Sequence, residues 1–165
     1  MTEHHVGEIT IRTFDAQHDA DRVRQIVGEV WSGGSDALME QKYDVIGSRP
    51  WSEWLSADIL AYLRSEQVKS FVAEKNGQVV GFCSCAIDHE RKCGRVGYNA
   101  VARSRQGNGI GSIMMDFVMD RIRAEGMEYA IVVVADNDEH APARRIYEKH
   151  GFQRLTGCHT MAKKL

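Results

Sequence analysis

The sequence predicts one mixed α/β domain built on a mostly antiparallel sheet of six to seven strands, with about four flanking helices. Two β-rich segments joined by Asn76-Gly77 predict a long hairpin, because a type I′ turn needs positive φ at both central residues. After a further strand at 96–101, a helical pattern leads into the almost unbroken apolar segment 128–134. A strand reached through a helix lies parallel to its neighbour, so one parallel pair is expected.

The elements before the hairpin follow from periodicity. Residues 7–14 alternate apolar and polar side chains, which is typical of a half-buried strand, here expected at a sheet edge. Asp15 is a possible N-cap for a helix that ends at the glycine-rich break 32–35 and has a common apolar stripe of Val23, Ile26, Val27 and Val30. Residues 32–50 show little periodicity and are expected to form a long loop, a candidate acceptor lid.

A second helix is predicted from Ser52, with an apolar side made of Trp54, Leu55, Ile59, Tyr62 and Leu63. The aromatic residues Tyr43, Trp51 and Trp54 either line an acceptor pocket or pack in the core, and the sequence does not separate these two interpretations.

The hairpin strands run from Val68 to Lys75 and from Gln78 to Asp88. A later helix begins at Gly109 and ends near Gly126, and its predicted inward residues are Ile110, Ile113, Met114, Phe117, Val118 and Ile122. A last helix carries Pro142 in its first turn and ends at Gly151, and a weak final strand is expected at 152–161.

The composition is that of an ordinary globular domain spanning residues 1–165, with 43% hydrophobic and 27% charged residues. The formal net charge is −2 and no basic tract is present, so binding to nucleic acid or to a membrane surface is not expected. No apolar segment is long enough to cross a bilayer, and the first residues lack signal-peptide features. A cytoplasmic location is therefore expected.

The four cysteines are expected to be reduced and mostly buried. Cys83 and Cys85 share one face of a strand, whereas Cys93 and Cys158 stand alone. No second close pair and no histidine pair completes a zinc pattern, so no metal is expected. A cysteine nucleophile is a minor alternative, because no histidine and acid are visible to activate it.

The segment from Gln106 to Ser112 joins a strand to a helix and contains three glycines. Glycines let the backbone approach a ligand, and the first N–H groups of a helix lie at the positive end of its dipole, so a phosphate site is predicted. The Walker pattern fails because no Gly-Lys-Ser/Thr follows. The dinucleotide fingerprint is incomplete, since Ser112 replaces its third glycine, although Asp136 follows the next strand where a ribose-binding acid belongs.

Two motifs in the same order resemble one known family. Gln106-x-x-Gly109-x-Gly111 follows a strand, and the last helix reads Ala143-Arg-Arg-Ile-Tyr147-Glu-Lys-His-Gly-Phe152. Over about residues 68–155 the chain resembles the Gcn5-related N-acetyltransferase (GNAT) superfamily. The resemblance implies acetyl-CoA as the donor, an acyl-CoA cleft between one splayed pair of parallel strands, and a primary amine of a small molecule or peptide as the acceptor. It also implies pairing into a homodimer.

The resemblance implies which residues contact coenzyme A. The pyrophosphate falls on the glycine turn and the pantetheine arm beside the central strand, so the candidate cofactor-binding residues are Asn99, Ala100, Val101, Gln106, Gly107, Asn108, Gly109, Ile110, Gly111, Ser112 and His140. His140 stands where the family often has a pantetheine-contacting asparagine, and Asn137 lies nearby, so either is a candidate. Backbone N–H groups at 99–101 would polarise the acetyl carbonyl and stabilise the oxyanion that the attacking amine creates.

Tyr147 is the candidate catalytic residue. A phenol with an unperturbed pKa of about 10 is a suitable proton donor to a leaving thiolate at neutral pH. Its spacing alone favours packing, whereas the resemblance places Tyr147 at the position of the family's thiolate-protonating tyrosine. The sequence does not identify the general base that deprotonates the amine. Residues 95–99 lack the glutamate of many relatives, which leaves water or the turn residues Asp88, His89 and Glu90 as candidates.

Two other functions stay open. A non-catalytic acyl-CoA-binding module of the same fold would share the motifs, and the absent strand carboxylate favours it. A nucleotide-binding α/β protein is supported only by the glycines and Asp136.

Overall fold

The computed structural model describes residues 3–44, 47–157 and 160–163, which form one sheet of seven strands and five α-helices. The strands are β1 (His4–Val6), β2 (Ile9–Thr13), β3 (Val68–Lys75), β4 (Gln78–Asp88), β5 (Cys93–Val96), β6 (Ala100–Val101) and β7 (Tyr129–Ile131). The helices are α1 (Ala20–Val30), α2 (Ser35–Tyr43), α3 (Trp51–Leu63), α4 (Ile110–Ala124) and α5 (Ala141–Lys149). Short 3₁₀ turns at Arg103–Arg105 and Asp138–His140 precede α4 and α5.

The sheet order is β1-β2-β3-β4-β5-β7, with β6 also paired to β4. Only the β5–β7 pair is parallel within the described residues, which confirms the predicted mixed sheet. The edge position expected for residues 7–14 is wrong, because β1 covers β2. The reversal depends on Gly7, whose φ of +59° suits a tight turn, and the polar β1 segment gave no alternation to predict it.

The hairpin formed by β3 and β4 confirms the prediction in detail. Lys75 pairs with Gln78 across the turn, and both Asn76 (φ +51°) and Gly77 (φ +74°) have positive φ. This is the conformation that an Asn-Gly type I′ turn requires.

The strand predicted at 96–101 is interrupted. Val96 pairs with Cys85 and Ala100 pairs with Phe82, so the three residues 97–99 lie opposite the two residues 83–84. This is a β-bulge, which bends the strand and ends the regular ladder. A Cβ atom on Gly97 would lie 2.5 Å from Ser84 Oγ and 2.6 Å from Tyr62 Oη, so only glycine fits there.

The strand predicted at 128–134 is also shorter than expected. β7 pairs with β5 only as far as Ile131 opposite Arg95, and residues 132–134 have no strand partner. The two parallel strands therefore separate beyond this point. The weak strand expected at 152–161 is not formed at 152–157 or at 160–161, and residues 158–159 lie outside the described part of the chain.

Helices cover both faces of the sheet. α4 and Tyr147 of α5 pack on one face, and α1 and α3 pack on the other. The predicted inward residues of α1 and α4 are buried, apart from Val30 and Ile113, which are partly buried.

The loop predicted at 32–50 contains the helix α2. This expectation was wrong because α2 buries only Ala37 and so shows no apolar stripe. A side chain of α2 instead contacts the start of the next helix: Glu40 Oε2 accepts a hydrogen bond of 2.6 Å from the backbone N–H of Trp51. α3 begins at Trp51, one residue before the predicted cap Ser52.

α1 begins after Asp19 and not after Asp15. The Asp15 carboxylate accepts from the backbone of Gln17 (2.8 Å), within the turn before the helix. Asp19 is only 2% exposed and accepts hydrogen bonds of 2.8 and 2.9 Å from two guanidinium nitrogens of Arg12. This interaction raises the pKa of Arg12, so the guanidinium stays charged, and the contact joins β2 to α1.

Replacing Asp19 by alanine is expected to lower the free energy of unfolding by about 3 kcal/mol, because the Arg12 charge would lose its buried partner. Glu74→Ala is the matched control, since Glu74 also binds Arg12 (2.9 Å) but is far more exposed. Urea denaturation of both variants measures the difference. An equal and small loss in the two variants would contradict the assigned importance of Asp19.

Candidate active site

A cleft of about 400 Å³ lies between β6, the glycine turn and α5. It brings together nine of the eleven predicted cofactor-binding residues: Asn99, Ala100, Val101, Gln106, Gly107, Gly109, Ile110, Gly111 and His140. Asn108 and Ser112 are not part of its wall. Asn108 Nδ2 donates to the carbonyl oxygens of Arg105 (3.3 Å) and Gln106 (3.1 Å), so its side chain shapes the turn.

The glycine turn requires glycine for its backbone conformation. Gly107 and Gly109 both have φ of +78°, and a Cβ atom on either would meet nothing within 4 Å. The turn is therefore strained for other residues but open towards a ligand. No side chain among the described residues caps α4, so the N–H groups of its first turn remain available to an anion.

Gly111 has a different reason to be glycine. A Cβ atom at this position would lie 2.9 Å from Ile146 Cδ1 on α5. The absence of a side chain lets α5 approach the start of α4, and this approach forms one wall of the cleft.

Three cationic residues that the sequence analysis did not assign also line the cleft: Arg105, Arg145 and Lys149. Glu139 is the only carboxylate among its described lining residues. The sequence contained a signal for two of these cations, because Arg145 and Lys149 are four residues apart and so share a face of the helix that carries Tyr147. The excess of positive charge suits a ligand with several phosphate groups.

The backbone of Val101 faces the cleft. The Ala102 N–H donates to Val80 O (2.8 Å), and alternate residues of an antiparallel strand point to opposite sides, so Val101 is directed away from β4. Its carbonyl accepts a hydrogen bond of 3.0 Å from Gln106 Nε2, a residue of the cleft wall. The Val101 N–H is on the same side.

Tyr147 is 7% exposed, and its hydroxyl lies 3.1 Å from Asn99 Nδ2, although the two residues are 48 positions apart in sequence. Burial raises the pKa of Tyr147, and the hydrogen bond from Asn99 partly opposes this rise. Asn99 lines the cleft and Tyr147 lies directly behind it. The structure thus places the predicted acid one side chain from the cleft.

His140 lines the cleft, whereas Asn137 does not. Asn137 Oδ1 lies 2.6 Å from His140 Nδ1, and Asn137 Nδ2 donates to Gly33 O (3.3 Å), which sets the direction of the amide. Because Oδ1 can only accept, Nδ1 carries the proton, and in the neutral ring Nε2 is an acceptor without a hydrogen-bond partner among the described residues. Burial lowers the pKa of His140, which favours this neutral form.

The other polar candidates lie away from the cleft. None of the turn residues Asp88, His89 and Glu90 lines it, and the hydrogen bonds from Arg91 lower the pKa of Asp88. Asp136 pairs with Arg154 (2.9 Å) outside the cleft wall. Asp136 therefore gives the nucleotide-binding alternative no support, and the described sheet has one parallel strand pair where a doubly wound sheet needs more.

The aromatic candidates Tyr43, Trp51 and Trp54 do not line the cleft either. Trp54 is 41% exposed and lies under the guanidinium of Arg49, 4.6 Å from the ring centre. Trp31, which the sequence analysis did not assign to the site, lines the cleft in their place.

The three described cysteines are free thiols, as expected, and two of them are buried. Cys83 and Cys85 are buried free thiols, and burial raises the pKa of both, that of Cys85 to about 11. Cys93 is a partly exposed free thiol, and Cys158 lies outside the described residues. In residues 3–44, 47–157 and 160–163 no group of three or more metal-ligating side chains and no helix suited to spanning a membrane is found.

Comparison with known proteins agrees with this geometry. The profile described as the Acetyltransferase (GNAT) family matches residues 34–152. The chain belongs to this family. The GNAT chain is also 32% identical over 147 residues to a mycothiol acetyltransferase of Streptomyces griseus. That alignment covers 87% of this chain but 43% of the relative, so the chain spans less than half the relative's length.

Solved structures share the GNAT fold at low sequence identity. The ribosomal-protein-S18-alanine N-acetyltransferase of Escherichia coli has a TM-score of 0.65 at 20% identity, over 90% of this chain and 79% of that chain. An aminoglycoside N-acetyltransferase in complex with CoA has a TM-score of 0.63 at 15% identity, over 100% of this chain and 98% of that chain. An acetyltransferase of Clostridium acetobutylicum with acetyl-CoA has a TM-score of 0.61 at 17% identity, over 93% of this chain and 96% of that chain.

Iodoacetamide at pH 8 is expected to label Cys93 well before Cys85 and Cys83, because the two buried thiols are shielded and ionise with difficulty. Peptide mass mapping after timed quenching measures the order, and labelling in denaturant provides the control for intrinsic reactivity. Rapid native labelling of Cys85 would contradict the inert, buried assignment and reopen the nucleophile alternative.

Proposed function

We propose that this GNAT protein transfers the acetyl group of acetyl-CoA to a primary amine of a small molecule or peptide by direct attack. The observation that carries the proposal is the glycine-lined, positively charged cleft between β6, the glycine turn and α5. The similar proteins are named for acetylation of aminoglycosides, a ribosomal protein and mycothiol, which supports an acetyl acceptor of either size.

The proposed donor site has two parts. The N–H groups of the glycine turn and the side chains of Arg105, Arg145 and Lys149 hold the phosphates. The amides of the pantetheine arm bind the cleft-facing backbone of Val101 and the free Nε2 of His140. Both parts fit the structure, because Gly107 and Gly109 leave the phosphate side open and Nε2 is available as an acceptor.

The proposed chemistry needs few side chains. The thioester supplies an activated acetyl group, and the Val101 N–H stabilises negative charge on the acetyl oxygen. Tyr147 donates the proton to the leaving sulfur. Glu139, the only carboxylate of the described cleft wall, already accepts from Gly33 N (2.7 Å) and Ser32 Oγ (3.2 Å). A water molecule is therefore the simplest acceptor for the proton of the amine.

Gly109→Leu is expected to weaken coenzyme A binding at least tenfold, because a side chain would enter the phosphate site from a strained backbone. Gly126→Leu is the matched control: Gly126 has φ of +73°, equally open surroundings and a place at the opposite end of α4. Both variants are expected to lose about 1–2 kcal/mol of stability from the left-handed backbone. Isothermal titration calorimetry with coenzyme A measures the affinity. Equal affinities in the two variants would defeat the assignment of the glycine turn.

Release of free thiol from acetyl-CoA, measured with a panel of amino acids, polyamines, aminoglycosides and short peptides, tests the activity. Amine-dependent release is expected, and Tyr147→Phe should lower kcat about 100-fold with little change in coenzyme A affinity. Because a general acid must be protonated and burial raises the pKa of Tyr147, this requirement is met throughout the neutral range and fails only at alkaline pH.

Tyr129→Phe is the control for that variant, since Tyr129 is exposed and lies on β7. Full activity in Tyr147→Phe would rule out the phenol as the acid. Tight coenzyme A binding without release for any amine would favour the acyl-CoA-binding module over the enzyme.

A further inference from the structure

The carboxamide of Asn99 lies between the strand bulge and the phenol of Tyr147. Its Nδ2 atom is 3.1 Å from Gly97 O and 3.1 Å from Tyr147 Oη, and its Oδ1 atom is 3.5 Å from the same Oη. A backbone carbonyl oxygen can only accept a hydrogen bond, so the NH₂ group of Asn99 must face Gly97. The contact with Gly97 therefore fixes the direction of the amide.

This direction determines the roles of the two groups. One N–H of Asn99 is donated to Gly97 O, and the other is donated to Tyr147 Oη. The phenol oxygen accepts at 3.1 Å, whereas a bond from its own proton to Oδ1 would be at the 3.5 Å limit of a hydrogen bond. The proton of Tyr147 is consequently left for another acceptor.

From this geometry we infer that Asn99 is a positioning residue, which orients the phenol of Tyr147 so that its proton is free to leave and which binds the oxygen after the proton has gone. The inference rests on the proposed role of Tyr147 as the acid. When the O–H bond breaks, the proton passes to the leaving sulfur and the electron pair stays on Oη. A hydrogen bond donated to that oxyanion is stronger than one donated to the neutral phenol.

Burial by itself disfavours proton release from Tyr147. A buried phenol is a weaker acid, because its charged form is poorly solvated. Asn99 is the side chain whose hydrogen bond opposes this effect.

A purely structural role explains the contact less well. The bulge is already fastened by the Gly97 N–H to Ser84 O (2.9 Å) and by Ser84 Oγ to Tyr98 O (2.9 Å). The ring of Tyr147 is packed against Phe152, with ring centres 5.9 Å apart. Neither the bulge nor the ring needs the amide of Asn99 to stay in place.

Two substitutions of Asn99 separate the roles. Asn99→Leu removes the donor, and Asn99→Asp keeps the shape but offers only acceptors, so that it would hold the proton of Tyr147. The positioning role predicts that kcat falls about tenfold in Asn99→Leu and further in Asn99→Asp. In Asn99→Leu the alkaline loss of kcat is expected to move to higher pH, because the interaction that lowers the pKa of the phenol is gone. A structural role predicts the opposite order, with the isosteric aspartate harmed less.

A double-mutant cycle makes the test independent of folding differences. In the Tyr147→Phe background, Asn99→Leu is expected to lower kcat far less than it does alone, because there is no phenol to position, and any effect through the cleft wall appears in the coenzyme A affinity. Thermal denaturation and coenzyme A affinity, measured on every variant, exclude loss of fold or of donor binding. If Asn99→Asp does not fold, the cycle with Asn99→Leu decides alone.

Each outcome bears on a distinct claim. Independent, additive losses in the cycle, or an unchanged pH profile in Asn99→Leu, would overturn the positioning role and leave Tyr147 as the acid. Full activity in Tyr147→Phe would overturn the proposed acid, and with it the role of Asn99.

Discussion

The close approach of Gly97 to Ser84 and Tyr62 is the constraint on which the site depends. Glycine at 97 permits this approach, and the chain after β5 bulges away from the ladder before it returns to β4 as β6. The parallel partner β7 follows β5 only to Ile131, and the cleft lies beside β6, which follows the bulge. The same bulge turns the backbone of Val101 towards the cleft and brings the Asn99 side chain to Tyr147. The bulge at this glycine thus accompanies an interrupted ladder, the proposed donor-binding edge and a contact with the proposed acid.

The two sides of the cleft are held by contacts between segments far apart in sequence. On one side, Gly111 allows α5 to pack on α4 through Ile146. On the other, Glu139 accepts from Gly33 N, and Asn137 donates to Gly33 O, which joins the turn before α5 to the end of α1. The turn that carries His140 is therefore fixed from both directions. A cleft built in this way is a preformed surface for the proposed donor.

Local chemistry explains which features could be predicted from the sequence. The β3–β4 hairpin and the α4 start depend on glycine and asparagine at positive φ, and neighbouring residues decide both. The bulge at 97–99 depends on Tyr62 and Ser84, and the helix α2 has no apolar stripe, so neither leaves a periodic signal. The glycine turn forms where it was predicted for the same local reason, and its phosphate-binding role stays a prediction. The cations Arg105, Arg145 and Lys149 join it only after α5 has folded back on α4.

Tyr147 shows why residue spacing could not decide between packing and chemistry. The sequence offered the two as alternatives, yet in the folded chain the ring packs in the core while the hydroxyl is left for the proposed chemistry. The ring lies in the core beside Phe152, which explains its helical spacing with other apolar residues. The hydroxyl meets an amide that belongs to the cleft wall. A pattern of apolar residues reports only the first of these contacts, because the second depends on a strand bulge far away in sequence. A buried tyrosine on an amphipathic helix is therefore compatible with catalysis when its oxygen, unlike its ring, has a polar partner at the edge of the core.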